Sequence, residues 1–273
     1  GHFDVIIVGA GISGIGLAYH LQTGAPEKTF AVLELKDSFG GTWHTHRYPG
    51  VRSDSDLHTF GYSFKPWRGA PIATAGEILS YMGEVIAEND LDRHIRYHTK
   101  VVSADWSSAE NHWVIRTQNV QTGETSTCTA GFLWMCQGYY RHDQGYMPQW
   151  PGMDAFKGQI IHPQAWPEDL DYAGKRVVVI GSGATAATLV PAIADKVAHV
   201  TMLQRSPTYF TPGRNKNELA ETLRELDIDP AWTHEIVRRS ILSMGAKMAE
   251  RRKANPEVVR EELLGALRGL VGE

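Results

Sequence analysis

Two glycine clusters have the spacing that binds a dinucleotide. Gly9, Gly11 and Gly14 form GxGxxG, and Gly181, Gly183 and Ala186 form GxGxxA. In such a turn the first glycine permits a tight bend and the second lets backbone approach a pyrophosphate. The third lets helix pack on strand, and alanine is tolerated there. The pyrophosphate would rest on the helix N-terminus, where free N–H groups and the dipole favour an anion. Each cluster also has a charged residue where a ribose is read. Glu34 follows Gly9 by 25 residues and suits free ribose hydroxyls, whereas Arg205 follows Gly181 by 24 and suits a 2′-phosphate. The two charges predict two different dinucleotides, the second NADP-like. Taken alone, either residue could instead be a solvated strand end.

Two further stretches hold reactive residue types. Gly40 to Asp54 has little periodicity and is rich in Gly, His, Arg and aromatic groups. It could wrap a flat ring, with Gly40 and Gly41 allowing close approach, or it could be an irregular structural loop. Phe156 to Pro167 lies between the glycine clusters and carries His162 between large apolar residues, with Pro163 and Pro167. Proline restricts its own φ and the residue before it, so an ordered connector is expected rather than a helix. His162 then belongs to a packed linker or to a hinge that relates two cofactors.

The elements needed to position these groups can be read around them. Val5–Val8 is a continuous apolar run, as in a buried parallel strand, and feeds the first turn. A helix over Gly16–Leu21 and a strand over Phe30–Leu33 follow, ending at Glu34. Arg176–Ile180 and His199–Gln204 repeat the strands around the second turn, so the chain holds two copies of one device. Between them the pattern predicts a helix over Ala75–Asn89, a strand over Ile95–Val102, a small antiparallel meander through Trp106, Trp113–Arg116 and Thr125–Thr127, and a buried strand over Phe132–Cys136. Gly138 just beyond is either a close-approach or a turn glycine. Helices are expected over Glu218–Leu226, Ala231–Lys253 and Pro256–Leu270, with Arg251, Arg252 and Lys253 on a solvated face. The reading is an α/β chain with two Rossmann-like nucleotide-binding parts: 1–148, a linker over 149–172, 173–214, and a helical segment over 215–273.

Composition narrows the function classes. The 273 residues are 42% hydrophobic with a net charge of −4, which fits a globular chain and argues against a nucleic-acid partner. Cys128 and Cys136, eight apart, have neither zinc nor disulfide-framework spacing, and no metal site is expected. With no secretory signal and no apolar run of about 20 residues, a cytoplasmic protein is expected.

At this point the residues resemble a family. Phe156, Gly158, His162, Trp166 and Pro167 fit FxGxxxHxxxWP, and Gly40, Gly41, Trp43, Tyr48, Pro49, Gly50 and Asp54 fit GGxWxxxxYPGxxxD. Both are signatures of the Baeyer–Villiger monooxygenases, and Arg47–Asp56, Ile160–Asp171 and Val200–Tyr209 resemble the ethionamide-activating branch. The resemblance implies FAD on Gly9, Gly11, Gly14 and Glu34, with Gly41, Thr42, Trp43 and Asp54 beside the flavin. It implies NADPH on Gly181, Gly183, Ala186, Arg205 and Ser206. Asp54 and His162 take catalytic roles, His162 in a hinge that changes as the cofactor moves. The implied reaction uses NADPH and O2, through a flavin peroxide, to convert a ketone to an ester or to oxygenate a sulfide. The family's active-site Arg and the segment completing its FAD domain would fall beyond Glu273. The resemblance therefore implies a truncated or split part, with a second polypeptide as one source of the remainder. Two rivals stand beside it. One is a nucleotide-binding fragment without turnover. The other is a flavin disulfide reductase, which needs a redox Cys pair close behind the first turn.

Overall fold

A computed structural model describes residues 1–206, 208–210 and 213–272. The chain divides into two compact units. The first comprises Gly1–Tyr48 and Ala75–Leu170, and the second Pro49–Thr74 and Asp171–Glu273.

The first unit is built on a six-stranded sheet of order β3-β2-β1-β6-β5-β4. Strand β1 (His2–Val8) lies between β2 (Phe30–Leu33) and β6 (Thr125–Met135), parallel to both. Its Val5-Ile6-Ile7 run is buried because a parallel strand is covered on both faces. Helix α1 (Ile12–Gly24) packs back through Gly14, Ile15, Gly16 and Ala18, of which Gly14, Gly16 and Ala18 are small enough to let it lie close to the sheet. Helix α4 (Ala75–Glu88) buries Ile78, Tyr81, Met82, Val85 and Ile86, the i, i+3, i+4, i+7, i+8 stripe of an amphipathic helix.

Four expectations change here. The single strand over 95–102 is two strands, β3 (Ile95–Arg96) parallel to β2, and β4 (Thr99–Ser107) antiparallel to β5 (His112–Asn119). No straight segment can serve both neighbours. The break falls at His98, whose φ of 53° is held by its N–H on the Lys36 carbonyl at 2.9 Å. The small antiparallel meander is present and continues the main sheet. Its last strand and the one expected over 132–136 are one strand, β6, antiparallel to β5 in its first half and parallel to β1 in its second. The second half is also not buried, since Phe132 and Trp134 are about half exposed, at 54% and 46%. Finally, the loop expected over 40–54 contains a short helix, α2 (Thr42–Thr45).

In the second unit, β7 (Arg176–Ile180) and β8 (His199–Leu203) pair in parallel, joined by α5 (Ala184–Ile193). Val178, Ile180 and Leu203 lie exposed on this two-stranded sheet. A short helix α3 (Leu57–Phe60) and three helices, α6 (Glu218–Glu225), α7 (Pro230–Ala254) and α8 (Pro256–Val271), complete the unit. Asn217 accepts the Ala220 N–H and Asp229 accepts the Ala231 N–H, which caps α6 and α7. Arg251, Arg252 and Lys253 are exposed in the last turn of α7, where cations complement the helix dipole. Arg251 also pairs with Glu262 of α8. No helix among the described residues is long and apolar enough to cross a membrane.

Candidate functional site

The first glycine turn is closed by its own backbone. Gly9 has φ 103°, a conformation side chains disfavour. A Cβ there would stand 2.7 Å from the carbonyl oxygen of Cys136 and 3.2 Å from the Cα of Gln137, where β6 ends. At Gly14 a Cβ would stand 1.9 Å from the Gly9 carbonyl oxygen, so helix α1 can begin here only on a glycine. The close approach beyond β6 is thus made by Cys136 and Gln137. Gly138, with φ 73° and no atom within 4 Å of a Cβ, is a turn glycine.

Glu34 ends β2 and is buried. Its Oε2 accepts the Ala10 N–H at 2.7 Å and its Oε1 accepts the Lys36 N–H at 2.8 Å. The acid therefore stitches the strand end to the glycine turn. Each carboxylate oxygen keeps a second acceptor position for a hydroxyl.

The early loop comes to the same place. The Gly40 N–H donates to the Ala10 carbonyl at 3.0 Å, and a Cβ on Gly41 would stand 3.1 Å from the Cα of Gly11. Gly41 precedes α2, which carries Thr42 and Trp43 and packs on α4. His46 is buried beside it, with Nδ1 2.9 Å from the Thr42 carbonyl oxygen and its ring 4.8 Å from that of Tyr140. Sequence reasoning did not single out His46 or Tyr140, because nothing local joins a loop histidine to a tyrosine some ninety positions on. The structure thus brings Gly9, Gly11, Gly14, Glu34, Gly41, Thr42 and Trp43 together within the first unit.

His162 belongs to the first unit as well. It precedes the one-turn helix Pro163–Ala165, and its Nδ1 accepts the Gln164 N–H at 3.2 Å. Arg47, beyond α2, pairs with Glu168 just past the connector.

Asp54 lies in the second unit and is exposed; Ser55 Oγ donates to its Oδ1 at 3.4 Å. The neighbouring Ser53 is buried, its N–H donating to the Ala73 carbonyl at 2.8 Å and its Oγ accepting the Ala73 N–H at 3.3 Å. Gly50, φ 75°, packs on α5, where a Cβ would meet the Ala192 Cβ at 2.7 Å. The early signature therefore divides between the units after Tyr48.

The second glycine turn is looser. Gly181 has φ 125° and its N–H reaches the Leu203 carbonyl at 2.9 Å, but a Cβ on Gly181 or Gly183 would meet nothing within 4 Å. Ala186 is buried where the first turn has Gly14, so α5 leaves room for a methyl group. Arg205 and Ser206 are exposed just past β8, and the Ser206 carbonyl accepts Ser182 Oγ at 3.4 Å. Among the described residues no carboxylate pairs with Arg205.

The thiols of Cys128 and Cys136 are both free, and burial pushes both up in pKa. Neither has the activated character of a redox cysteine. His58 and His234, in the second unit, are buried with pKa values lowered chiefly by desolvation. Among the described residues, the Nε2 of His58 and both ring nitrogens of His234 have no hydrogen-bond partner.

Residues 71–217 match the family model described as "Flavin-binding monooxygenase-like", and residues 7–68 match "NAD(P)-binding Rossmann-like domain". The FAD-containing monooxygenase EthA of Mycobacterium tuberculosis is 55% identical over 224 residues, covering 81% of this chain and 45% of its own. Cyclohexanone-bound cyclohexanone monooxygenase superposes with a TM-score of 0.68 at 33% identity, covering 83% of this chain and 44% of that one. Oxidized steroid monooxygenase bound to NADP superposes at 0.69 with 32% identity, covering 83% and 43%. The chain spans about half the length of the curated relatives it matches.

Proposed function

We propose that this chain, which belongs to the flavin-binding monooxygenase-like family, forms the FAD and NADPH sites of a Baeyer–Villiger-type monooxygenase. Its reaction inserts one oxygen atom of O2 beside a ketone carbonyl, giving an ester, or adds it to a sulfide sulfur. The observation that carries the reading is the first turn. Gly14 packed on the Gly9 carbonyl and Glu34 bonded to Ala10 hold the glycine turn, the helix start and the acid in one compact unit, with no room for a side chain at Gly14. The names of the relatives support the same cofactors and substrate class: an FAD-containing enzyme, an NADP complex and a cyclohexanone complex.

When bound, the flavin would take hydride from NADPH and activate oxygen. The protein's residues bind, orient and shield. The α1 N-terminus, which has no side-chain cap, turns its backbone N–H groups and the positive end of its dipole to the pyrophosphate, and Glu34 accepts the ribose hydroxyls. Gly41, Thr42 and Trp43 close over the flavin ring. Gly181, Gly183 and Ala186 hold the second pyrophosphate, and Arg205 with Ser206 takes the 2′-phosphate. Asp54 contributes its carboxylate beside the flavin, and His162 holds the connector that relates the two nucleotides. In this reading residues 1–148 supply the flavin part, 149–172 the linker and 173–214 the first half of the NADPH part. The helices over 215–273 follow. The relatives' additional length, in the same or a second polypeptide, supplies the rest of the substrate pocket.

Turnover with isotopically labelled dioxygen tests the reaction. The purified protein is given FAD, NADPH and a cyclic ketone or a thioether. A product carrying one labelled atom per NADPH consumed is expected. NADPH consumption that yields only hydrogen peroxide, with every ketone and thioether tried, would contradict the assignment.

A further inference from the structure

The loop between β6 and the connector has a glycine whose backbone needs none of glycine's freedom. Gly145 is not among the residues of positive φ. What it provides is space. A Cβ there would stand 2.2 Å from both Cε1 and Nδ1 of His162 and 2.7 Å from Cγ, so the imidazole occupies the space a side chain at 145 would need.

The loop is braced to receive it. Arg141 Nε donates to Asp143 Oδ1 at 3.0 Å, and the same oxygen accepts the Gln144 N–H at 2.9 Å. His142 Nε2 lies 2.9 Å from the Gln137 carbonyl oxygen. The Gln164 side chain, one turn past His162, donates to the Arg141 carbonyl. Loop and connector are thus clasped at two points, the ring on Gly145 and the Gln164 amide on Arg141.

We infer that Gly145 is a positioning residue for His162, fixing the ring so that Nδ1 is spent on the Gln164 N–H and Nε2 presents its proton outward. A neutral imidazole has one donor and one acceptor nitrogen. With Nδ1 accepting a backbone N–H, the proton must sit on Nε2, and among the described residues nothing is hydrogen-bonded to that nitrogen. His162 is then a directed hydrogen-bond donor for an acceptor oxygen of a bound nucleotide. This rests on the proposed role of His162 in relating the two nucleotides.

Gly145→Ala is a selective probe, because the group it displaces is the end of a flexible side chain rather than backbone. The fold should survive while the ring is pushed off its seat. In the flavin-loaded protein with nitrogen-15 histidine, the wild type at alkaline pH should give His162 an unprotonated Nδ1 and a protonated Nε2. The alanine variant should give mixed tautomers. It should also raise the KM for NADPH about tenfold, with no further rise when combined with His162→Gln. Mixed tautomers in the wild type, an unchanged His162 spectrum in the variant, or multiplicative effects in the double variant would overturn the inference. Should His162→Gln leave NADPH kinetics untouched while the tautomer shift occurs as expected, the seat stands and the hinge role of His162 falls.

Discussion

The Ala10 N–H donates to the Glu34 carboxylate at 2.7 Å, between the middle of the glycine turn and the end of the next strand. One side chain therefore sets the distance between the two features a dinucleotide must touch at once. It also gives Glu34 a structural role beside the ribose-binding role proposed above. Replacement by alanine leaves the Ala10 and Lys36 N–H groups without acceptors, at a cost of about 1–3 kcal/mol for the buried one. Glu34→Gln keeps one acceptor oxygen and should stay folded yet retain flavin less well. Thermal melts and flavin-to-protein absorbance ratios separate the two effects.

The two turns should respond oppositely to a methyl group. Gly14→Ala drives a Cβ to 1.9 Å from the Gly9 carbonyl oxygen, so α1 must move away from the sheet. Loss of flavin binding and destabilisation by about 1–3 kcal/mol are expected. Ala186→Gly at the matching place in the second turn should cost only about 1 kcal/mol of helix propensity and leave NADPH kinetics alone. Denaturant titration and flavin content read both.

Arg205→Ala should discriminate between nicotinamide cofactors. Removing a charged partner of the 2′-phosphate should raise the KM for NADPH by about ten- to a hundredfold while leaving NADH little changed. Equal effects on both cofactors would show that Arg205 does not read the phosphate.

Much of this was legible in the sequence because the constraints are short. Val5–Val8, the glycine spacing and the apolar start of α1 lie within a few turns of one another, and local pattern fixes them. The charged, helical pattern beyond residue 215 and the proline start of α8 set three helices to within a residue, whereas the caps at Asn217 and Asp229 were not read from it. What escaped depends on contacts remote in sequence. His98 takes a left-handed φ because Lys36 holds its N–H, which divides an unbroken strand pattern. Apolar β6 promised burial, but Phe132 and Trp134 are half exposed, since hydrophobicity records a preference for cover and not its presence. Glu34 was legible as a ribose acceptor, not as the acceptor of two backbone N–H groups. Gly145 has no local signature at all; its reason lies in the ring of His162, 17 residues on.

Acid should weaken the second unit through its buried histidines. His58 and His234 have lowered pKa values, chiefly because burial disfavours the charged form. Unfolded, each would take up a proton near its ordinary value of about 6.5. Folded, each stays neutral to lower pH. Stability is therefore full above about 6.5 and declines as pH falls toward the depressed folded values. Melting curves between neutral and mildly acid pH should show this decline, and His58→Phe with His234→Phe should flatten it. Asp4 and Asp37 also have lowered pKa values, from hydrogen bonds with Thr29 and His44, so their contribution is lost in a separate, more acidic window.

On the reading proposed above, the two glycine turns hold FAD and NADPH for one reaction. Anaerobic addition of NADPH to the flavin-loaded protein tests it most directly, followed in the flavin's visible absorption band. Bleaching at a rate that saturates with NADPH, slowed by Arg205→Ala and abolished by Gly14→Ala through loss of flavin, is the predicted result. A protein that holds flavin but does not bleach with NADPH at any concentration would contradict the account.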